Sequence, residues 1–136
     1  NYVYPDTPGN YNEEDPISPI NNYAWSKLGG ECAVQMYKNS LIIRACMTEY
    51  PFVHKFAYSN MFTNFIFHKN FIKILEKILH VKGVLNIGGS AKSVYNFAQK
   101  SNPNIKKMKI KNTKKINIPL NSLMNLTKLN KILKKK

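Results

Sequence analysis

Hydrophobic and polar positions along the chain predict three helices and two strands. Apolar residues recur at helical spacings of three and four over 23–37 and 60–79, which is typical of amphipathic helices. Two short apolar runs, 40–46 and 83–89, are typical of buried parallel strands. A third helix is predicted over 93–100. The order helix, strand, helix, strand, helix indicates an α/β fold without internal repeats.

Capping and breaking residues set the ends of these helices. Asn21 or Asn22 is suited to cap the first helix, and Asn39 to stop it. Ser93 is suited to cap the third helix, which must end before Pro103.

Two glycines, Gly29 and Gly30, fall inside the first predicted helix. Each costs about 1 kcal/mol of helix propensity relative to Ala. We therefore expect either a close approach of another element at this point or a helix supported by packing.

The remaining segments carry weaker signals. Proline, glycine and asparagine divide residues 1–22 into loops and turns, although 2–4 has the pattern of a strand end. We expect a loop around Pro51, weak structure at 116–120 and 125–133, and a frayed end at 134–136.

The composition is that of a globular domain. Of the 136 residues, 43% are hydrophobic and 12% aromatic, and no apolar run is long enough to span a membrane. The N-terminal residues lack the basic and apolar blocks of a signal peptide. Cys32 and Cys46 are too few for a zinc or disulfide framework, so we interpret them as small buried hydrophobes in a reducing, cytoplasmic environment.

The formal net charge of +14 is concentrated at the C-terminal end. Through residue 99, eight lysines and Arg44 face seven carboxylates, whereas residues 100–136 hold twelve lysines and no carboxylate. That segment has no arginine for bidentate base recognition and no aromatic side chain for base stacking. We therefore expect a solvated, charge-biased surface and no dedicated nucleic-acid partner. Non-specific polyanion binding, weakened by salt, is an alternative.

Tyr23 and Lys27 are the candidate catalytic residues. Four positions apart on a helix, they lie on one face and direct a phenol and an ammonium into the same space. A nearby cation favours the phenolate, which makes a tyrosine a usable proton donor and acceptor, and the ammonium can also bind sugar hydroxyls. With eight tyrosines and twenty lysines, about one such pair is expected by chance, so the sequence around it must decide.

That surrounding sequence resembles the extended short-chain dehydrogenase/reductase superfamily. Its members have a strand ending in Val-Tyr or Val-Phe, an acidic Pro-rich loop, a Tyr-x-x-x-Lys helix continuing to Gly-Glu, and an Ile-x-Arg strand. This chain has YVYPDTPGNYNEEDPISPINNYAWSKLGGE followed by SLIIRA. GVLNIGGSAKSVYNFAQK and SLMNLTKLNKIL resemble later segments. The chain looks most like the dTDP-4-dehydrorhamnose reductase branch and related NAD-dependent sugar-nucleotide epimerases.

The resemblance implies roles for five residues. Tyr23 is the acid/base that protonates the C4 oxygen of the sugar as hydride arrives from the nicotinamide. Lys27 assists Tyr23 and binds the nicotinamide ribose hydroxyls. Ala45, Cys46 and Met47 lie near the nicotinamide. The implied cofactor is NAD or NADP and the implied substrate a nucleotide sugar, with no metal.

Three other polar residues are given no catalytic role. Arg44 is interpreted as a structural charge at the end of its strand. His54 and His68 have no counterpart in the pattern and are interpreted as surface or packing residues.

Two family features are missing from the chain. The family has a catalytic Ser or Thr just before the segment that matches 1–4. It also has a G-x-x-G-x-x-G turn that binds the pyrophosphate, which the six glycines here do not form. We therefore expect the chain to be the C-terminal half of such an enzyme, inactive without an N-terminal dinucleotide-binding half. A homodimer is compatible with this expectation.

The expected architecture is the C-terminal part of a Rossmann-type doubly wound sheet plus a small substrate-binding region. The predicted boundaries are 1–59 for the Rossmann-like part, 60–133 for the substrate-binding region and 134–136 for the basic tail. Two other functions remain open: a non-catalytic truncated relative that acts by association, and a basic polyanion-binding module.

Overall fold

The computed structural model describes residues 1–111 and 117–134 and contains helices and short strands in mixed order. The elements are α1 (Asn22–Gln35), β1 (Leu41–Ala45), β2 (Met47–Thr48), β3 (Phe56–Tyr58), β4 (Phe62–Thr63), β5 (Ile66–Phe67), α2 (His68–Ile78), β6 (Gly83–Ile87), β7 (Lys92–Ser93), α3 (Val94–Ala98), β8 (Lys106–Met108) and α4 (Thr127–Lys134).

The longest strand pair is the parallel pair of β1 and β6. The two strands pair in register from Leu41 with Gly83 to Ala45 with Ile87. A parallel pair needs a crossover connection, which here includes α2. The strands predicted over 40–46 and 83–89 are confirmed, and with them the α/β fold class.

Three short strand pairs join the segments around this central pair. β2 pairs with β5 and β3 with β8, both in parallel, and β4 pairs with β7 in antiparallel orientation. Each links segments that are separated along the chain, and β2 directly follows the end of β1.

Helix α1 is confirmed, but most of its surface is exposed. Its N-cap is Asn21, whose side-chain oxygen accepts a hydrogen bond from the Ala24 amide at 2.8 Å. Of the apolar residues that set the helical period, Trp25, Cys32 and Met36 are exposed and Leu28 is half-buried, whereas Ala24 and Glu31 are buried. The buried face of α1 is therefore narrow and holds a charge.

One expectation for this helix was wrong, and one of the two alternatives for its glycines is excluded. Cys32 is exposed, because it lies on the outer side of α1, whereas Cys46 is buried as predicted. No atom lies within 4 Å of where a Cβ would stand on Gly29 or Gly30, so no close approach explains these glycines.

The helix predicted over 60–79 begins only at His68. Residues 61–67 are rich in aromatic and β-branched side chains, which favour extended backbone. They form β4 and β5 instead, and the Ile66 amide bonds to the Cys46 carbonyl at 3.0 Å. Residues 2–4 form a turn and not a strand end. Residues 1–21 are otherwise loops and turns, as predicted, apart from an isolated β-bridge between Tyr11 and Met124, and Asn22 begins α1.

The C-terminal elements agree with the remaining predictions in part. Ser93 caps α3 by accepting a hydrogen bond from the Asn96 amide at 3.2 Å. Helix α4 matches the signal at 125–133 and includes Lys134, so this residue does not belong to a frayed tail. Lys135 and Lys136, and Ile116 of the signal at 116–120, lie outside the described residues.

Buried side chains form three clusters. One lies where β6 packs between α2 and α4, a second beneath the N-terminal loops, and a third around α3. Their members are Ile78, Leu85, Ile87 and Leu129; Val3, Tyr4, Tyr11, Cys46 and Met124; and Phe52, Ala57, Met61, Val94, Ala98 and Ile105.

No helix within 1–111 or 117–134 has the length and apolar character needed to cross a membrane. The cytoplasmic location and the domain boundaries remain predictions.

Candidate active site

Helix α1 places Tyr23 and Lys27 beside one cavity. Because they are one helical turn apart, the Lys27 ammonium lies over the Tyr23 ring, with Nζ 5.0 Å from the ring centroid. Both residues line a cavity of about 540 Å³. The shared space expected from their spacing is thus present in the structure.

The same cavity extends along β1 to the end of the strand. All five residues of β1 line it, and Cys46 and Met47 continue its wall. The cavity is therefore lined by all five residues named from the sequence. Tyr23 and Lys27 lie on α1, Ala45 ends β1, and Cys46 and Met47 follow it. Ligands of open α/β sheets bind at this kind of strand end.

Tyr2 is a neighbour of Tyr23 that the sequence did not identify. The two rings meet edge to face, 5.7 Å apart between centroids, and Tyr2 also lines the cavity. Burial raises the pKa of Tyr2, and the proximity of Cys46 and Tyr23 raises it further. Tyr2 is therefore a neutral phenol at neutral pH. Its neighbour Tyr23 is 58% exposed. The sequence signal was weak, because Tyr2 lies in a loop.

Cys46 lies deep in the cavity wall and is held in its thiol form. Burial raises the pKa of the Cys46 thiol, and the hydrogen bond that Thr63 Oγ1 donates to its Sγ at 3.2 Å offsets this only in part. The thiolate is the nucleophilic form of cysteine. Cys46 therefore shapes the site and supplies no nucleophile at neutral pH.

Arg44 fixes the position of α1 against β1. Its guanidinium forms a bidentate ion pair with Glu31 of α1, through Nη2 at 2.5 Å and Nε at 3.1 Å. The two side chains are only 6% and 5% exposed. Burial lowers the pKa of Arg44, but the hydrogen bonds with Glu31 and Tyr4 outweigh it and raise the pKa above its ordinary value.

Further contacts of Arg44 connect it to the loop at 1–22 and to β6. Nη1 donates to the Tyr4 hydroxyl at 2.8 Å and to the Glu13 carbonyl at 3.1 Å. The Tyr4 hydroxyl donates to Asn86 Oδ1, also at 2.8 Å. The interpretation of Arg44 as a structural charge is confirmed, whereas the partner Glu31 was not named in advance. The signal in the sequence that could have identified this partner is that Glu31 is the single carboxylate residue of α1.

The two histidines considered in the sequence lie outside this arrangement. The His54 ring packs edge-on against Phe52, 5.1 Å between centroids. His68 is exposed at the start of α2. Both observations agree with surface or packing roles.

No protein-family model and no curated protein matches the sequence. Solved structures do match. A hypothetical dTDP-4-dehydrorhamnose reductase from Sulfolobus tokodaii superposes with a TM-score of 0.81 and 24% sequence identity, over 96% of this chain and 55% of that one. The dTDP-4-dehydrorhamnose reductase from Bacillus anthracis, in complex with NADP, gives a TM-score of 0.75 and 18% identity, over 95% and 55%.

A third similar structure is UDP-glucuronic acid 4-epimerase from Bacillus cereus in complex with NAD. Its TM-score is 0.70 and its identity 16%, over 99% of this chain and 53% of that one. At these identities the likeness establishes a shared Rossmann-type fold, and it confirms the resemblance at that level. The chain spans about half the length of the structures it matches.

Proposed function

We propose that this chain carries the catalytic tyrosine and lysine of an NAD(P)-dependent sugar-nucleotide oxidoreductase, similar to dTDP-4-dehydrorhamnose reductases. The observation that supports this most is the convergence of Tyr23 and Lys27 with the end of β1 on one cavity. The proposed substrate is a nucleotide sugar with a keto group at C4.

The residues around the cavity fit the nicotinamide end of the cofactor. Lys27 offers an ammonium for the ribose hydroxyls, and Ala45 and Met47 offer apolar surface beside them. The glycines of this chain form no pyrophosphate-binding turn. The remaining part of the cofactor therefore needs a dinucleotide-binding partner region, which we propose lies elsewhere in the complete enzyme.

The unpaired edge of β1 supports this partner region. In the described parts of the chain, β1 pairs only with β6. Parallel sheets are normally buried between further strands and helices. We propose that a strand of the dinucleotide-binding region continues the sheet along this edge of β1 and fills the part of the cavity beside it. The part of the cavity at Tyr23, Lys27 and the end of β1 is then left for the ligands.

In the proposed reaction, a reduced nicotinamide held beside Lys27 would supply the hydride for the C4 carbonyl. Tyr23 Oη donates its proton to the carbonyl oxygen as the C–O double bond becomes an alcohol, which leaves a phenolate on Tyr23. The Lys27 ammonium, 5.0 Å from the ring centroid, stabilises that negative charge. A solvent proton then restores the phenol.

Replacing Lys27 tests the proposal through the cofactor. In the complete protein, Lys27→Met removes both the ribose donor and the charge beside Tyr23. We expect the Kd for NADH or NADPH to rise about tenfold, as for loss of a charge-assisted hydrogen bond, and kcat for reduction of a nucleotide 4-ketosugar to fall.

Lys38→Met is the matched control, because Lys38 is exposed beyond the end of α1 and does not line the cavity. It should leave both constants unchanged. Unchanged cofactor binding in Lys27→Met would contradict the proposed role. A complete protein that binds neither NAD nor NADP would favour the non-catalytic alternative.

A further inference from the structure

A second cavity, of about 260 Å³, lies between the start of α2, the loop after β6, and α3. One wall consists of three half-buried aromatic rings. The Phe97 ring lies 4.7 Å from Phe67 and 5.5 Å from Phe65, measured between centroids, and both pairs are tilted by about 40°. Their partial exposure leaves ring surface available for another flat group.

The other wall is polar and positively charged. This wall is lined by Lys92, Lys100, Ser90 and Asn70, and no carboxylate is among the described residues that line the cavity. The ammonium of Lys100 is close enough to Lys92 to lower its pKa. Two adjacent ammonium groups repel each other, and an anion between them would relieve that repulsion.

The loop that joins these walls is held in place by tight contacts. A Cβ on Gly89 would stand 2.4 Å from the Phe65 carbonyl oxygen, so only glycine permits this approach. The Gly89 amide donates to the Asn64 carbonyl at 2.9 Å, and Asn64 Nδ2 donates to the Gly89 carbonyl at 3.0 Å. Ser90 and Lys92 therefore follow a loop of fixed geometry beside the rings.

We propose that this cavity binds a mononucleotide, with the base against the phenylalanine rings and the phosphate between Lys92 and Lys100. Stacking of a base on an aromatic ring tolerates every base, and lysine is a common partner of phosphate. A cavity of about 260 Å³ lies just below the range of about 300–1,000 Å³ typical of small-molecule sites, so it is too small to enclose a dinucleotide. The site is distinct from the cavity at Tyr23: among the described lining residues, the two cavities share only Phe65.

Calorimetric titration of the chain with AMP, adenosine and inorganic phosphate separately tests this site. AMP should bind more tightly than either fragment, because only AMP reaches both walls. Lys92→Ala and Lys100→Ala should each raise the Kd for AMP about five- to tenfold, as expected for loss of a charge-assisted hydrogen bond at a partly exposed site. Phe97→Leu should weaken AMP and adenosine and leave phosphate unchanged.

Lys82→Ala is the matched control, since Lys82 is exposed and bonds to Asn39, outside this cavity. Equal loss of affinity in Lys82→Ala would mean binding to the lysine-rich surface in general and would overturn the proposal. A loss of AMP affinity in Lys27→Ala would place AMP in the cavity at Tyr23 instead and would also overturn the proposal. Phosphate binding as tight as AMP, or no AMP binding, would also overturn it. None of these outcomes depends on the proposed reductase activity.

Discussion

The Arg44 side chain joins the helix that carries Tyr23 to the strand whose end lies beside it. Its ion pair with Glu31 is buried, and its Nη1 donates hydrogen bonds to the Tyr4 hydroxyl and the Glu13 carbonyl. A buried charge whose partner is removed is strongly unfavourable, because neither water nor another charge compensates it. The pair therefore fixes α1 on β1, and with it the direction of Tyr23 and Lys27.

Removing Arg44 alone should be costly. We expect Arg44→Met to lower the free energy of unfolding by about 3 kcal/mol, since Glu31 is left buried and unpaired. The double variant Arg44→Met/Glu31→Leu should be more stable than the single one, because the uncompensated charge is gone. Denaturant unfolding of both, with Lys38→Met as control, measures this. A single variant within about 0.5 kcal/mol of the original protein would refute the role given to this pair.

At this scale the sequence predicted the shared placement of Tyr23 and Lys27 better than it predicted contacts between separate segments. Tyr23 and Lys27 are set by spacing within one helix, so their common face follows from helix geometry. Glu31 and Thr63 were not named, because they contact Arg44 and Cys46 only after separate segments pack together. A sequence pattern holds no direct record of such tertiary contacts.

Glycines at two elements differ sharply in what surrounds them. Gly89 follows β6 where the backbone approaches Phe65, whereas Gly29 lies in α1 with nothing within 4 Å of its Cβ position. The first position has no room for a side chain. At Gly29 there is room for a side chain, and no close contact offsets the lower helix propensity of glycine.

Substituting alanine at these positions should therefore have opposite effects. Gly29→Ala should raise the free energy of unfolding by about 0.5–1 kcal/mol, because alanine restricts the unfolded chain and favours the helix. Gly89→Ala should lower it, since the new methyl group would stand 2.4 Å from a carbonyl oxygen and force the loop to move. Thermal unfolding of the two variants side by side checks this. Equal shifts of the same sign would disagree with the described packing.

Elements with strong local signals were predicted well. β1, β6, α1 and α3 have apolar runs or capping residues within their own sequence, and each is present. Residues 60–67 were predicted as helix but form β4 and β5. The strands that pair with them, β7 and β2, lie elsewhere in the chain, so the local sequence alone did not indicate this pairing. Short strands depend on such partners more than on their own residues.

At the scale of the molecule, the parallel pairing of β1 with β6 and the shared Rossmann-type fold explain why the cavity at Tyr23 lies at the C-terminal end of β1. The α/β class followed from the order of elements, and the resemblance to sugar-nucleotide reductases followed from motifs around Tyr23. The three separate clusters of buried side chains could not be predicted, because they depend on how loops and short strands close around the central pair.

The most direct test of the account is turnover by the complete protein carrying Tyr23→Phe. Phenylalanine keeps the ring and its edge contact with Tyr2 but has no proton to donate. With a nucleotide 4-ketosugar and NAD(P)H, we expect kcat to fall at least about 100-fold, the usual contribution of a general acid, with cofactor affinity and unfolding free energy unchanged. Tyr37→Phe, at an exposed tyrosine beyond the end of α1, should retain full activity. Near-normal turnover by Tyr23→Phe would contradict the assignment of Tyr23 as the proton donor.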